Sequence, residues 1–262
     1  MERPLEGKVI IVVGAGPGLG HEVARLAARD GAHVALAARN ADRLMVSAQQ
    51  IDPDDDRTAT FAVDVTDQAS CDALVAQTLA RFGRVDGIAV VAAYVLTQAE
   101  AVAIEDDEWR TSFDVNVLGP LHMARAAVSA FESQGGGSIV LIGTQAAYDP
   151  KPGMAAYGTT KIGGQLGLMH YLAAEWGRRR VRVNTVETSW MLGPLVQGYM
   201  DMMAEQRGVT ADEVIGEIAA GWPIPEMPLD DDVAEAVVFL LSNKARMITG
   251  QTIRVNAGEY LA

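Results

Sequence analysis

The sequence predicts an α/β protein: a Rossmann-like, doubly wound sheet of seven parallel strands, with helices on both faces and a helical segment over one edge. Three observations carry that expectation. Short Val/Ile/Ala runs alternate with longer amphipathic stretches along the whole chain, the pattern of repeated strand–helix–strand units. Several of these runs are apolar throughout, as strands buried on both faces must be. A glycine-rich string stands at the first strand–helix junction.

Taken in order, strands are expected at Val9–Val13, His33–Ala37, Thr58–Val63, Gly87–Val91, Ser138–Ile142, Arg182–Val186 and Thr252–Val255. The first helix follows from Leu19, Val23, Leu26 and Ala27, which share one face at helical spacing. Ala69–Phe82, Asp107–Ser133, Tyr157–Arg178 and Asp231–Ser242 have the same periodicity. Residues 194–228 break the rhythm with a Met-rich amphipathic stretch. That stretch follows the carboxyl end of a strand, the edge where open α/β sheets bind ligands, so a substrate-covering lid is expected there. Additional core helices would show the same periodicity. No repeat or Gly/Ser linker divides residues 1–262, which are expected to form one domain.

Composition narrows the function. Hydrophobic residues make up 49% and charged residues 21% of the chain, an ordinary globular balance that excludes a disordered one. With 21 Lys and Arg against 34 Asp and Glu, the net charge of −13 argues against nucleic acid or an anionic membrane as partner. No run approaches the ~20 apolar residues of a spanning helix. The opening residues lack the apolar stretch of a secretion signal, and a cytoplasmic location is expected. The single Cys71 excludes an internal disulfide, and the four histidines have no ligand-like spacing, so no metal is expected.

Gly14-Ala15-Gly16-Pro17-Gly18-Leu19-Gly20 connects the first strand to the first helix. Glycines there let the backbone approach a pyrophosphate, which the N–H groups of the helix N-terminus then bind. A bare strand–helix turn would also use glycine, but this junction is where a dinucleotide needs it. Gly14, Gly16, Gly18, Leu19 and Gly20 are therefore cofactor-binding candidates. The second strand ends Ala37-Ala38-Arg39-Asn40. An acid at its end would bind the ribose of NAD and repel a 2′-phosphate. Ala38 has no carboxylate, and Arg39, with Arg43 about one helical turn on, offers guanidinium groups to phosphate. NADP(H) is favoured. NAD(H) is the alternative, with Arg39 stacked on adenine instead.

Tyr157 and Lys161 stand four apart, on one face of a helix. A phenol titrates near 10 and is a poor acid or base at neutral pH unless an ammonium group favours its phenolate. The pair and the glycine loop together make the chain resemble the short-chain dehydrogenase/reductase family over essentially its whole length. Asp64-Val65, Asn116 in Asp114-Val115-Asn116-Val117, Arg182-Val183-Asn184 and Thr249-Gly250-Gln251-Thr252 also match. The resemblance implies that Tyr157 is the general acid/base and that Lys161 lowers its pKa and binds the nicotinamide ribose. It implies that Asn116 holds a proton-relaying water, and that Asp64 and Val65 contact the adenine. Ala92 would line the cofactor wall. The family's substrate-orienting Ser, 13 residues before the Tyr, is Thr144 here, which keeps a hydroxyl. Its Asn-Asn-Ala-Gly is Val90-Val91-Ala92-Ala93, and its Pro-Gly is Thr188-Ser189. A Thr that commonly holds the nicotinamide carboxamide is Gly193, leaving Thr188 to serve.

The activity this implies is hydride transfer between a nicotinamide cofactor and an alcohol/ketone pair. Gln145, Trp190, Met191, Leu195 and Tyr199 are the substrate-facing candidates, and the apolar surface of Trp190, Met191, Leu195, Tyr199 and the methionine cluster points to a lipophilic substrate. Two other readings stay open: a catalytically weak nucleotide-sensing or partner-binding protein, and a non-redox enzyme of dehydratase or dehalogenase type. By resemblance, a dimer or tetramer is expected through the long helices Asp107–Ser133 and Tyr157–Arg178.

Overall fold

The computed structural model describes residues 3–54, 56–95 and 99–261, apart from the side chains of 41–43 and 147. Arg43 thus has its side chain outside the described ones. The strands are β1 Val9–Val13, β2 His33–Ala38, β3 Thr58–Ala62, β4 Gly87–Val90, β5 Gly137–Thr144, β6 Val181–Thr188 and β7 Thr252–Val255. They pair in parallel in the order β3-β2-β1-β4-β5-β6-β7. The winding reverses between β1 and β4, which opens a crevice at their carboxyl ends. β5 and β6 run further than their apolar cores imply. The extension pairs Thr144 with Thr188 in register, so two hydroxyl-bearing residues finish neighbouring strands at the same edge.

The helices are α1 Leu19–Arg29, α2 Ala41–Ile51, α3 Gln68–Phe82, α4 Asp106–Phe113, α5 Gly119–Gln134, α6 Ala155–Thr159, α7 Gly167–Trp176, α8 Pro194–Arg207, α9 Ala211–Ala219 and α10 Asp230–Leu241. One face of the sheet packs on α1 and α10 through Leu19, Val23, Leu26, Val233 and Val237. The other packs on α3, α5 and α7 through Leu74, Met123, Phe131, Met169 and Leu172. Each such side chain, fully buried, contributes roughly 1.5–3 kcal/mol. Among the described residues, no helix is long and apolar enough to cross a membrane.

Two expectations about helices are corrected. Asp107–Ser133 and Tyr157–Arg178 are not continuous α-helices: each is interrupted by a wide π-helical segment, Asp114–Leu118 and Thr160–Leu166. Pro120, in the first turn of α5, has no N–H to give to the preceding turn, which loosens the ladder there. The second interruption contains Gly163 and Gly164. A β-carbon on Gly164 would lie 2.3 Å from Val117, so the two wide turns touch only because that position is glycine. Helix α2 is an addition to the expected elements.

Residues 194–228 form α8, α9 and a return loop. Pro194 begins α8, where its missing N–H costs nothing, and Thr210 and Glu213 cap α9 reciprocally. The two helices enclose a small core of Met200, Ala204, Val214 and Met227. Leu192 bridges Leu229, and its N–H donates to the Pro228 carbonyl at 2.8 Å. The excursion therefore leaves and rejoins the body at one point.

Candidate active site

The carboxyl edge of the sheet gathers the expected residues from four strands. After β1, Gly14 adopts a φ of +90°, and a β-carbon on it would lie 2.5 Å from the Ala92 nitrogen. That nitrogen donates to the Val13 carbonyl at 2.9 Å, so the loop after β4 lies directly against the glycine turn. Gly16 has open space where a side chain would be. Leu19 and Gly20 are buried in the first turn of α1. This turn at a helix N-terminus, which excludes a side chain at Gly14 and Gly20, fits the diphosphate of a dinucleotide.

Thr144 ends β5, and its Oγ1 accepts a hydrogen bond from the Ala146 N–H at 3.2 Å. Its own proton is then available to a second partner. Tyr157 lies in α6. Burial pushes its phenol above the usual value, while a hydrogen bond with Thr144 works in the opposite direction. Thr188 Oγ1, at the end of β6, is buried without a hydrogen-bond partner.

Lys161 lies in the second π-helical segment and is 3% exposed. Its Nζ donates to the Ile142 carbonyl at 2.7 Å. The Gln165 amide, turned to satisfy both neighbours, donates to the same carbonyl at 2.9 Å and accepts from Nζ at 3.2 Å. Burial lowers the Lys161 ammonium to about 7. Nζ stands 5.9 Å from the centre of the Tyr157 ring.

Asn116 occupies the first π-helical segment. Its Oδ1 accepts from the Tyr94 N–H at 2.9 Å, and its Nδ2 faces Tyr94 O, Ser112 Oγ and Thr160 Oγ1 at 3.1–3.2 Å. The side chain thus ties the loop after β4 to the turn that carries Lys161.

Other expected residues have different surroundings. Asp64 is exposed, and its Oδ1 accepts from the Thr66 N–H and hydroxyl at 2.9 and 2.7 Å. Those bonds hold its carboxyl below the usual value, with a smaller contribution from Arg39. Arg39 is exposed at the end of β2. Val65 is buried with its side chain against Gly119, and its carbonyl meets His122 Nδ1 at 2.8 Å. Gln145 is 2% exposed, and its Oε1 accepts from Asn256 Nδ2 at 2.7 Å. It holds the end of β5 to the segment after β7 and shows no open face. Trp190 and Tyr199 stack with centroids 6.0 Å apart. Met191 packs on the α1/α10 core, while Leu195 is 88% exposed.

Two acids were not foreseen as part of this region. Glu187, next to Thr188, is 3% exposed and meets Arg254 at 3.2 Å. Tyr148 donates its hydroxyl to the same carboxylate at 3.3 Å, and Arg254 lies over the rings of Tyr148 and Tyr260. An acid inside the otherwise uncharged end of β6 was the available signal. Asp230, at the start of α10, is buried beside Gly18 and Gly193, and nothing local in the sequence places it there.

Residues 14–259 match the family model described as enoyl-(acyl carrier protein) reductase. The chain is 34% identical over 254 residues to D-threitol dehydrogenase of Mycolicibacterium smegmatis, covering 97% of this chain and 93% of that one. It is 30% identical over 275 residues to (-)-trans-carveol dehydrogenase of Rhodococcus erythropolis, covering 98% and 99%. A short-chain type dehydrogenase/reductase from Mycobacterium ulcerans superimposes with a TM-score of 0.87 at 28% identity, covering 97% of this chain and 90% of that one. The glycine cradle, the Tyr–Lys pair and these likenesses agree: the chain belongs to the short-chain dehydrogenase/reductase family and is a nicotinamide-dependent oxidoreductase.

Proposed function

We propose that the protein interconverts a lipophilic secondary alcohol and its ketone, with Tyr157 as general acid/base. The observation that carries this reading is the convergence of Thr144, Tyr157 and Lys161 at one sheet edge, beside the glycine cradle. A bound nicotinamide supplies or accepts the hydride. In reduction, Tyr157 gives its phenolic proton to the carbonyl oxygen, which Thr144 holds by its hydroxyl. Lys161, with little else nearby to neutralise it, favours the phenolate that remains and makes the loss of that proton easier. Thr188 orients the carboxamide, and Asn116 keeps the turn bearing Lys161 in place.

NADP(H) is the proposed cofactor, because Arg39 lies beside the end of β2 and Ala38 brings no carboxylate. Asp64 lies near enough to Arg39 to feel its charge, which tempers the preference. The stacked Trp190–Tyr199 pair and the methionines of α8 favour carveol-like over threitol-like alcohols. On this reading α8 and α9 are the substrate lid. Phe113 and Tyr171, 45% and 72% exposed on the helices expected to pair, support a homo-oligomer. An absorbance assay at the reduced-nicotinamide band, run with NADPH on a panel of cyclic ketones and with NADP⁺ on the matching cyclic alcohols and on polyols, tests the reading. Turnover of the cyclic ketones and alcohols but not of the polyols is the expected result. Tight cofactor binding without turnover of any substrate would contradict it.

A further inference from the structure

Gly193 is the residue from which α8 departs. A β-carbon on it would lie 2.1 Å from Oδ2 of Asp230, so the carboxylate fills the space a side chain at 193 would take. The same oxygen lies 3.2 Å from where Gly18, in the phosphate loop, would carry a β-carbon. Asp230 is 7% exposed, and its Oδ1 is buried without a hydrogen-bond partner. Both glycines and Asp230 line one cleft of about 840 Å³ beside the loop.

Among the described side chains, no cation on the surrounding elements pairs with this carboxylate. From α1 come His21, Glu22 and Arg25. Arg25 is paired with Glu22 at 2.6 Å, and His21 Nδ1 meets Ser47 Oγ at 2.6 Å. From α8 the cleft receives Gln197, and from α2 Val46, Ser47 and Gln50, none of them charged. On its own helix Asp230 is followed by Asp231 and by Asp232, which accepts from the Leu229 N–H at 2.9 Å. Burial first, then Glu22 and Asp231, raise the Asp230 carboxyl to about 6. A carboxylate here would repel a diphosphate, whereas a carboxylic acid can donate to it.

We propose that Asp230 belongs to the cofactor site, standing in for a side chain at Gly193, and that it is protonated in the bound protein and donates to a diphosphate oxygen. The proposal rests on the glycine loop being the diphosphate cradle. Binding at neutral or higher pH then takes one proton from solvent, and no bond other than that O–H is made or broken. Affinity must weaken as pH rises past the value at which the free protein loses the proton.

The test is calorimetric titration of NAD⁺ into wild type, Asp230→Asn and His21→Gln from pH 5.5 to 8.5, in buffers of different ionisation enthalpy that count protons. NAD⁺ is used because it lacks the 2′-phosphate, which titrates in the same range. Lys161 is present in all three proteins, so its contribution cancels in the comparison. Asp230→Asn is isosteric and removes a buried charge, which favours folding. Wild-type affinity is expected to fall by up to about tenfold per pH unit above pH 7, with up to one proton taken up. Asp230→Asn should show a flatter profile and bind at least tenfold more tightly than wild type at pH 8, while His21→Gln keeps the wild-type profile. Equal slopes in wild type and Asp230→Asn, weaker binding by Asp230→Asn at pH 8, or loss of the profile in His21→Gln would overturn the proposal. If no protein binds NAD⁺ or NADP⁺ at any pH, the cradle reading falls and the proposal falls with it.

Discussion

Lys161 and Tyr157 stand one helical turn apart with Nζ 5.9 Å from the ring centre, and the lysine's hydrogen bonds go to a backbone carbonyl and an amide. Neither of these partners carries a charge that would neutralise the ammonium. The price is a destabilising burial, visible in the fall of its pKa to about 7.

Lys161→Met should lower kcat by at least ~10²-fold, the usual worth of acid–base assistance, without lowering stability at neutral pH. The sign follows from the shift. A lysine whose folded pKa lies below its unfolded value destabilises the fold fully below about pH 7, and that cost fades as pH rises towards the unfolded value. Urea unfolding at pH 7 and pH 10 should show wild type gaining on the variant as pH rises. A constant difference would mean that Lys161 is already neutral or well solvated in the fold.

Thr144→Ser should keep most activity, and Thr144→Ala should lose at least ~10-fold in kcat, since one hydrogen bond to a developing charge is worth about 1.5–3 kcal/mol. Steady-state kinetics decide between the roles. Equal activity in the two variants would make Thr144 a packing residue.

Arg39→Ala should erase most of a preference for NADP(H), a change of roughly ten- to a hundredfold in relative affinity. Ala38→Asp should turn the preference towards NAD(H). Titration of both cofactors into the three proteins measures it, and equal wild-type affinities would make Arg39 an adenine-stacking residue.

Asp230→Asn should stabilise the fold. Its carboxyl titrates higher in the folded than in the unfolded chain, so the native protein loses stability as pH rises from about 4 to about 6 and regains none above. The variant's advantage should grow across that window and then level off at about 3 kcal/mol. Urea midpoints at pH 4.5, 6 and 8 measure it. No gain at pH 8 would show that the carboxylate has a solvent or ion partner.

Much of the architecture was legible because β1 and β4 are apolar along their length and alternate with helical periodicity. The glycine loop and the Tyr157–Lys161 pair were legible because their chemistry depends on short fixed spacings. The π-helical turns were not, since a 3.6-residue apolar pattern survives one widened turn, and the contact of Gly164 with Val117 that accommodates it joins distant segments. Gln145 and Leu195 illustrate the same limit. Gln145 is turned towards Asn256, and Leu195 lies on the outward face of α8. Asp230 reads locally as a helix-opening acid, and only the approach of Gly18 and Gly193 gives it another role.

The most direct measurement follows isotope from cofactor to product. Wild type and Tyr157→Phe are incubated with NADPH carrying deuterium at the transferable position and with a ketone that wild type turns over, and the alcohol is read by mass spectrometry. The result expected is one deuterium at the carbinol carbon with wild type, and at least ~10²-fold slower labelling with Tyr157→Phe at unchanged cofactor affinity. Product without deuterium, or labelling by Tyr157→Phe at more than about a tenth of the wild-type rate, would contradict hydride transfer assisted by Tyr157.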